Sequence, residues 1–190
     1  MTCGAVASAR SRTVMYRAAM LLGLVVAASP TARSQSPAKT ESSKPIATMA
    51  WLVGGVWTAD ASSMAPGLTI ETRYSWSDNS AYIRFTTHFL TDKGTHKGYD
   101  GNFFWDAAQS TLGMWYMDGG SAITQSPVVV NGPAMVMRWR GPDFEGKPAD
   151  LRVTVTRRSD DAYSWVAEEA APGDQWKHLA ALEYRRVPGT

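Results

Sequence analysis

Histidine is the side chain best suited to proton or metal chemistry near neutral pH, and this 190-residue chain has three: His88, His96 and His178. His178 lies in the last strand-like stretch, sharing a two-residue period with Trp176, Ala180, Leu182 and Tyr184, opposite Leu179, Ala181, Glu183 and Arg185. The charged second set belongs in water, so the spacing predicts an inward His178 whose neutral imidazole can ligate iron or hydrogen-bond a ligand. The plainer alternative is a histidine satisfied by a neighbouring side chain. His88 and His96 flank Asp92-Lys93-Gly94. If Thr91 pairs with Thr95, both fall on one face as diagonal neighbours about 7–8 Å apart. Even with Asp92 or Asp100 as an oxygen donor, this is short of the three or four close ligands of a zinc site, and no metal site is assigned. Glu71 with Arg73, and Asp100 with Arg84, read as the ion pairs that sheet surfaces carry. There is no Gly-X-Ser-X-Gly elbow and no glycine-rich phosphate loop. No catalytic residue is assigned, and the chain reads as a binder rather than an enzyme.

Aromatic residues carry the stronger signal. All eight tryptophans follow residue 50, most of them in strand-like stretches. A tryptophan offers a large apolar face and one N–H donor, so several on an inner wall can hold a flat or greasy molecule and fix its orientation. The predicted lining is Tyr74, Trp76, Trp105, Trp115, Tyr116, Trp139, Trp165 and His178. The competing expectation is that these side chains fill the interior themselves.

The elements that must position them follow from periodicity. Pro45–Val53 predicts two turns of helix, opened by Pro45 and stopped by Gly54-Gly55. Beyond it apolar residues recur every second position, over Leu68–Trp76, Tyr82–Leu90, His96–Asp106, Thr111–Asp118, Ala122–Val130, Ala134–Arg140, Leu151–Arg158, Tyr163–Glu168 and Trp176–Val187. A short strand over Gly55–Asp60 brings the count to nine or ten. The connections, among them Asn131-Gly132-Pro133 and Pro172-Gly173-Asp174, are turn-forming and too short for crossover helices, so the sheet is antiparallel. Sequential hairpins of this number predict an all-β, up-and-down β-barrel with a short N-terminal helix, a sandwich being the alternative.

The first 34 residues read as a signal peptide: Arg10, Arg12 and Arg17, an apolar run over Ala18–Ala28 too short to span a bilayer, then small residues. Cleavage is assigned after Ser34, with Ala28 and Ala32 as alternatives and Met15 as an alternative start. Residues 35–44 lack aromatic and branched apolar residues and read as a disordered linker, leaving 45–190 as the barrel domain. Cys3, the single cysteine, precedes the apolar run, so the exported chain would have no thiol. All 17 acidic residues follow residue 34, whereas Arg10, Arg12, Arg17 and Arg33 precede Gln35. The remainder therefore has 15 basic residues and a net charge of −2. That balance argues against nucleic acid as a partner, no stable membrane span remains after signal removal, and a periplasmic or secreted location is expected.

Gly55-Val56-Trp57, after the short helix and before the meander, resembles the calycin superfamily of lipocalins and fatty-acid-binding-like barrels, where Gly-X-Trp on the first strand closes the barrel floor. The resemblance implies a basic residue of the last strand packed on Trp57, a part open to Arg185 or Arg186 and assigned to Arg185. Residues 48–187, with Tyr99-Asp100-Gly101-Asn102-Phe103-Phe104-Trp105-Asp106 and Met114-Trp115-Tyr116-Met117, look like a lipocalin-like family of exported bacterial domains of unknown function. A second resemblance, to nitrobindin-like haem barrels, implies haem held by His178 and chemistry on nitrogen oxides. Ala59 departs from it, standing where those proteins have a further glycine. The expectation is thus an exported barrel binding a small, partly apolar or aromatic molecule. The alternatives are a haem barrel and a filled barrel with an envelope structural or interaction role.

Overall fold

The computed structural model describes residues 45–188 apart from Ser121 and Phe144. The signal and linker expectations for residues 1–44 lie outside the described residues. A 3-10 helix, Pro45–Leu52, precedes ten strands: β1 (Val56–Asp60), β2 (Thr69–Trp76), β3 (Ile83–Thr91), β4 (Gly94–Asp106), β5 (Thr111–Asp118), β6 (Ile123–Asn131), β7 (Ala134–Pro142), β8 (Pro148–Ser159), β9 (Ala162–Ala171) and β10 (Gln175–Val187). Each pairs antiparallel with its sequence neighbour and β10 returns to β1, closing an up-and-down barrel.

One end is closed. The 3-10 helix buries Ile46, Met49 and Leu52 in the main core, which also contains Trp57. Trp57 Nε1 donates a 2.7 Å hydrogen bond to the Leu52 carbonyl, so the indole satisfies a carbonyl at the end of the helix while its ring is wholly buried. The opposite end carries the β1–β2, β3–β4, β5–β6, β7–β8 and β9–β10 connections.

Closure is uneven around the wall. β10 pairs with β9 from Gln175 to Arg185, but with β1 only through Val187, Arg186 and Arg185. Along the rest of this seam the β1–β2 connection faces β10, and among the described residues no backbone hydrogen bond joins the two.

Three register shifts redirect side chains, at Thr87/His88, Arg157/Ser159 and His178/Ala180. A bulge adds one residue to a strand and exchanges the faces of everything beyond it. The close curl also needs Gly101: a Cβ there would lie 2.3 Å from the Trp115 carbonyl, 2.5 Å from the Phe85 ring and 2.7 Å from Tyr116 Cβ.

Candidate functional site: the barrel interior

The inner wall is read from the cross-strand register. Thr72, Thr87 and Tyr99 stand opposite one another on β2, β3 and β4; Tyr116 and Thr124 pair on β5 and β6; Trp139 and Leu151 pair on β7 and β8; Trp165 and Leu182 pair on β9 and β10.

Next to the plug the wall is dense. Trp57 meets Tyr163 with ring centroids 4.8 Å apart, and Tyr163 stacks on Tyr184 at 4.6 Å and 14°. The same level holds a layer of hydroxyls. Thr72 and Thr87 share a 2.9 Å hydrogen bond, the Tyr74 and Tyr163 hydroxyls lie 3.4 Å apart, and Tyr184 is stacked on Tyr163. Burial holds all three phenols in their neutral form: Tyr74 is pushed up to about 12, and Tyr163 and Tyr184 are raised as well.

Toward the other end the aromatic residues are only partly buried. Phe89, Tyr99, Tyr116 and Trp139 form a chain of near-perpendicular contacts, with centroids at 5.6, 5.0 and 6.4 Å. Trp165 likewise packs on the core while keeping some accessible surface. At the rim, on the face of Trp139 and Leu151, Lys177 Nζ lies 2.7 Å from Glu169.

A cleft of about 450 Å³ opens at the seam, lined by Ser63, Met64, His178, Leu179, Ala180 and Ala181. Leu179 and Ala180 belong to the inner side of β10, whereas His178 and Ala181 are exposed. None of the predicted lining aromatics borders it. A smaller groove of about 190 Å³ runs along β4, β5 and β6 beside Phe104, Gln125 and Pro127.

The expected lining divides. Tyr74, Trp76, Tyr116, Trp139 and Trp165 pack against the core. Trp115 alternates with the inward Met114 and Tyr116, facing Asn102 and Gln125, and so lies on the outer wall. Trp105 shares the inward parity of Phe103 but stands at the end of β4, 38% exposed.

His178 requires a correction. It is exposed and sits opposite Glu168, not beside the inward Ala180. The bulge at His178/Ala180 inserts Leu179 and reverses parity, so Trp176 faces outward too. Its ring lies 4.2 Å from the Arg152 guanidinium carbon and 5.5 Å from that of Arg138, and Arg152 is paired with Glu168 at 2.7 Å. Unbroken alternation was the available sequence signal, and a single bulge cancels it.

The other histidines are likewise separated. His88 stands opposite Lys97 and His96 opposite Phe89, so they occupy opposite faces. Among the described residues no group of three His, Cys, Asp or Glu side chains could hold a metal ion. Asp100 binds Lys97 and Thr86, not Arg84, and the Lys97 ammonium holds its carboxyl below the ordinary range. His88 and His178 face away from the interior and His96 stands exposed at the rim end of the inner wall, so the residues present do not fit a haem ligated inside the barrel.

The floor residue is also corrected from Arg185 to Arg186. Arg185 is exposed, whereas the Arg186 guanidinium carbon lies 4.4 Å from the Trp57 ring centroid. No protein family model matches the chain, and no curated protein matches it.

Proposed function

We propose that this chain is a lipocalin-like barrel that binds a small, partly apolar molecule and has no catalytic role. The observation that carries this reading is the aromatic surface left accessible on the inner wall. Trp57, Tyr163 and Tyr184 beside the plug are sealed, whereas Phe89, Tyr99, Tyr116, Trp139 and Trp165 point inward and still retain accessible surface. Inward aromatic faces left open are surface that an apolar molecule can cover, with a gain of roughly 25 cal/mol per Å².

The calycin-type motif supports the same reading. Gly55, at φ +67°, brings the chain close enough that a Cβ there would lie 2.8 Å from the Val187 carbonyl and 2.9 Å from Arg186 Cγ. Its role in this chain is to let the last strand close over Trp57. The signal-like segment ahead of the barrel supports export to the periplasm or the medium, where Gln35 would be the mature N-terminus.

Native mass spectrometry of gently purified protein tests the binding reading together with Nile red, a neutral dye whose emission rises in apolar surroundings. Co-purifying mass or a saturable emission rise, weakened in Trp139→Ala and Tyr116→Ala, is expected. A bare polypeptide mass with no dye response sinks it and leaves a filled structural barrel.

A further inference from the structure

We infer that the molecule this barrel takes is uncharged and carries a carbonyl or hydroxyl oxygen, which seats in the hydroxyl layer formed by Thr72, Thr87, Tyr74, Tyr163 and Tyr184. The inference rests on the binding reading above and specifies its ligand class.

The first support is the placement of charge. Among the described residues, the charged or titratable side chains other than tyrosine that share the inward parity stand only at the two ends of the wall. Arg157 and Arg186 lie against Trp51 and Trp57 at the plug, while His96, Asp118, Glu169 and Lys177 lie at the opposite rim. Between them the wall is apolar, aromatic or hydroxyl-bearing. Arg186 is not free to meet an acidic headgroup, because it donates to the carbonyls of Trp51, Val53, Gly54 and Asp160. A carboxylate or ammonium drawn to the middle of the barrel would thus be desolvated without a counter-charge, at a cost of several kcal/mol.

The second support is unused hydrogen-bonding capacity. Tyr163 is 2% exposed, and its hydroxyl meets that of Tyr74 only at 3.4 Å, beyond the ordinary range for O–H···O bonds. Each neutral phenol keeps a donor and acceptor capacity, and a hydroxyl rotates to suit its partner. A carbonyl oxygen reaching this layer would accept from a tyrosine, and a hydroxyl would both accept and donate. A pure hydrocarbon would leave the layer unmatched. The aromatic residues nearer the rim would then cover the remainder of the molecule.

Equilibrium dialysis at pH 7 against three probes of one skeleton tests this: 2-acetylnaphthalene, 2-naphthoate and 2-methylnaphthalene. The same measurement is made with 1-decanol and decanoate. The ketone should bind at least about tenfold more tightly than either naphthyl comparison, and decanol more tightly than decanoate by a similar factor. Tyr74→Phe, which keeps the ring, should bring the ketone down to the level of 2-methylnaphthalene while leaving that hydrocarbon's own affinity unchanged. Thr72→Val is the second variant should Tyr74→Phe fail to fold. Naphthoate binding as tightly as the ketone, or the hydrocarbon matching it, overturns the ligand class while the binding reading stands. Absence of binding by all five probes overturns both.

Discussion

Arg186, on the last strand, lays its guanidinium over the ring of Trp57, on the first, with the guanidinium carbon 4.4 Å from the ring centroid. The same side chain donates from Nη2 to the Trp51 carbonyl at 2.5 Å and the Asp160 carbonyl at 2.9 Å, and from Nη1 to Val53 at 2.9 Å. One residue therefore joins the 3-10 helix, the β8–β9 turn and both strands at the seam. Its Nε lies 3.3 Å from Asp161 Oδ1 as an ion pair but is not aligned for a hydrogen bond.

Arg186→Ala should cost about 2–4 kcal/mol, the cation–π contact and several charge-assisted hydrogen bonds being lost together. Arg186→Lys should recover only part, because an ammonium cannot reach carbonyls on several sides with a planar fork. Arg185→Ala should move stability by less than about 0.5 kcal/mol. Urea titrations of the three variants check the order, and equal losses at the two arginines would contradict it.

Trp57→Ala removes a fully buried ring and the hydrogen bond to Leu52, and should cost about 3–5 kcal/mol. An unchanged thermal melt would mean that the plug adds nothing to closure.

Gly101→Ala tests the curl of the barrel wall. The added methyl meets the Trp115 carbonyl and the Phe85 ring inside van der Waals distance, so about 1–3 kcal/mol should be lost. Differential scanning calorimetry beside a Gly132→Ser control separates crowding from a general glycine effect. Gly132 has open space where its Cβ would stand, although its φ of +57° carries a backbone cost of its own.

Alkaline pH should unfold the barrel through its buried phenols. Unfolded tyrosine ionises near about 10, whereas burial raises Tyr74 to about 12 and raises Tyr163 and Tyr184 too. The folded state thus keeps protons that the unfolded state releases. The stability linked to these groups is complete below about pH 10 and falls as pH rises toward 12. Tyrosinate absorbance recorded beside far-UV circular dichroism should show the last phenols ionising together with loss of the sheet signal. Complete ionisation near pH 10 with the sheet intact would refute the burial argument.

His178→Ala should leave both stability and Nile red binding unchanged, since the imidazole is exposed beside Glu168. Loss of binding in that variant would show that the dye occupies the seam cleft that His178 borders, not the aromatic wall.

Local chemistry alone determined the order of the strands and their number to within one, the antiparallel meander, the capping helix and the floor tryptophan. Each depends on a two-residue period, a turn residue or a helix stop, all contained within a few positions of chain. Which side of the wall a residue occupies also followed the period where strands were regular, as at Tyr74, Tyr116, Trp139 and Trp165. Tertiary structure decided the rest. One inserted residue, Leu179, moved Trp176 and His178 to the outer wall, because a bulge is set by how β10 matches β9 rather than by composition. The choice of Arg186 over Arg185 likewise depended on which side chain faced Trp57 once the first and last strands met, 129 residues apart in the chain. The hydroxyl layer joins residues of β2, β3, β9 and β10, and only barrel closure sets the hydroxyls of the first two strands beside those of the last two.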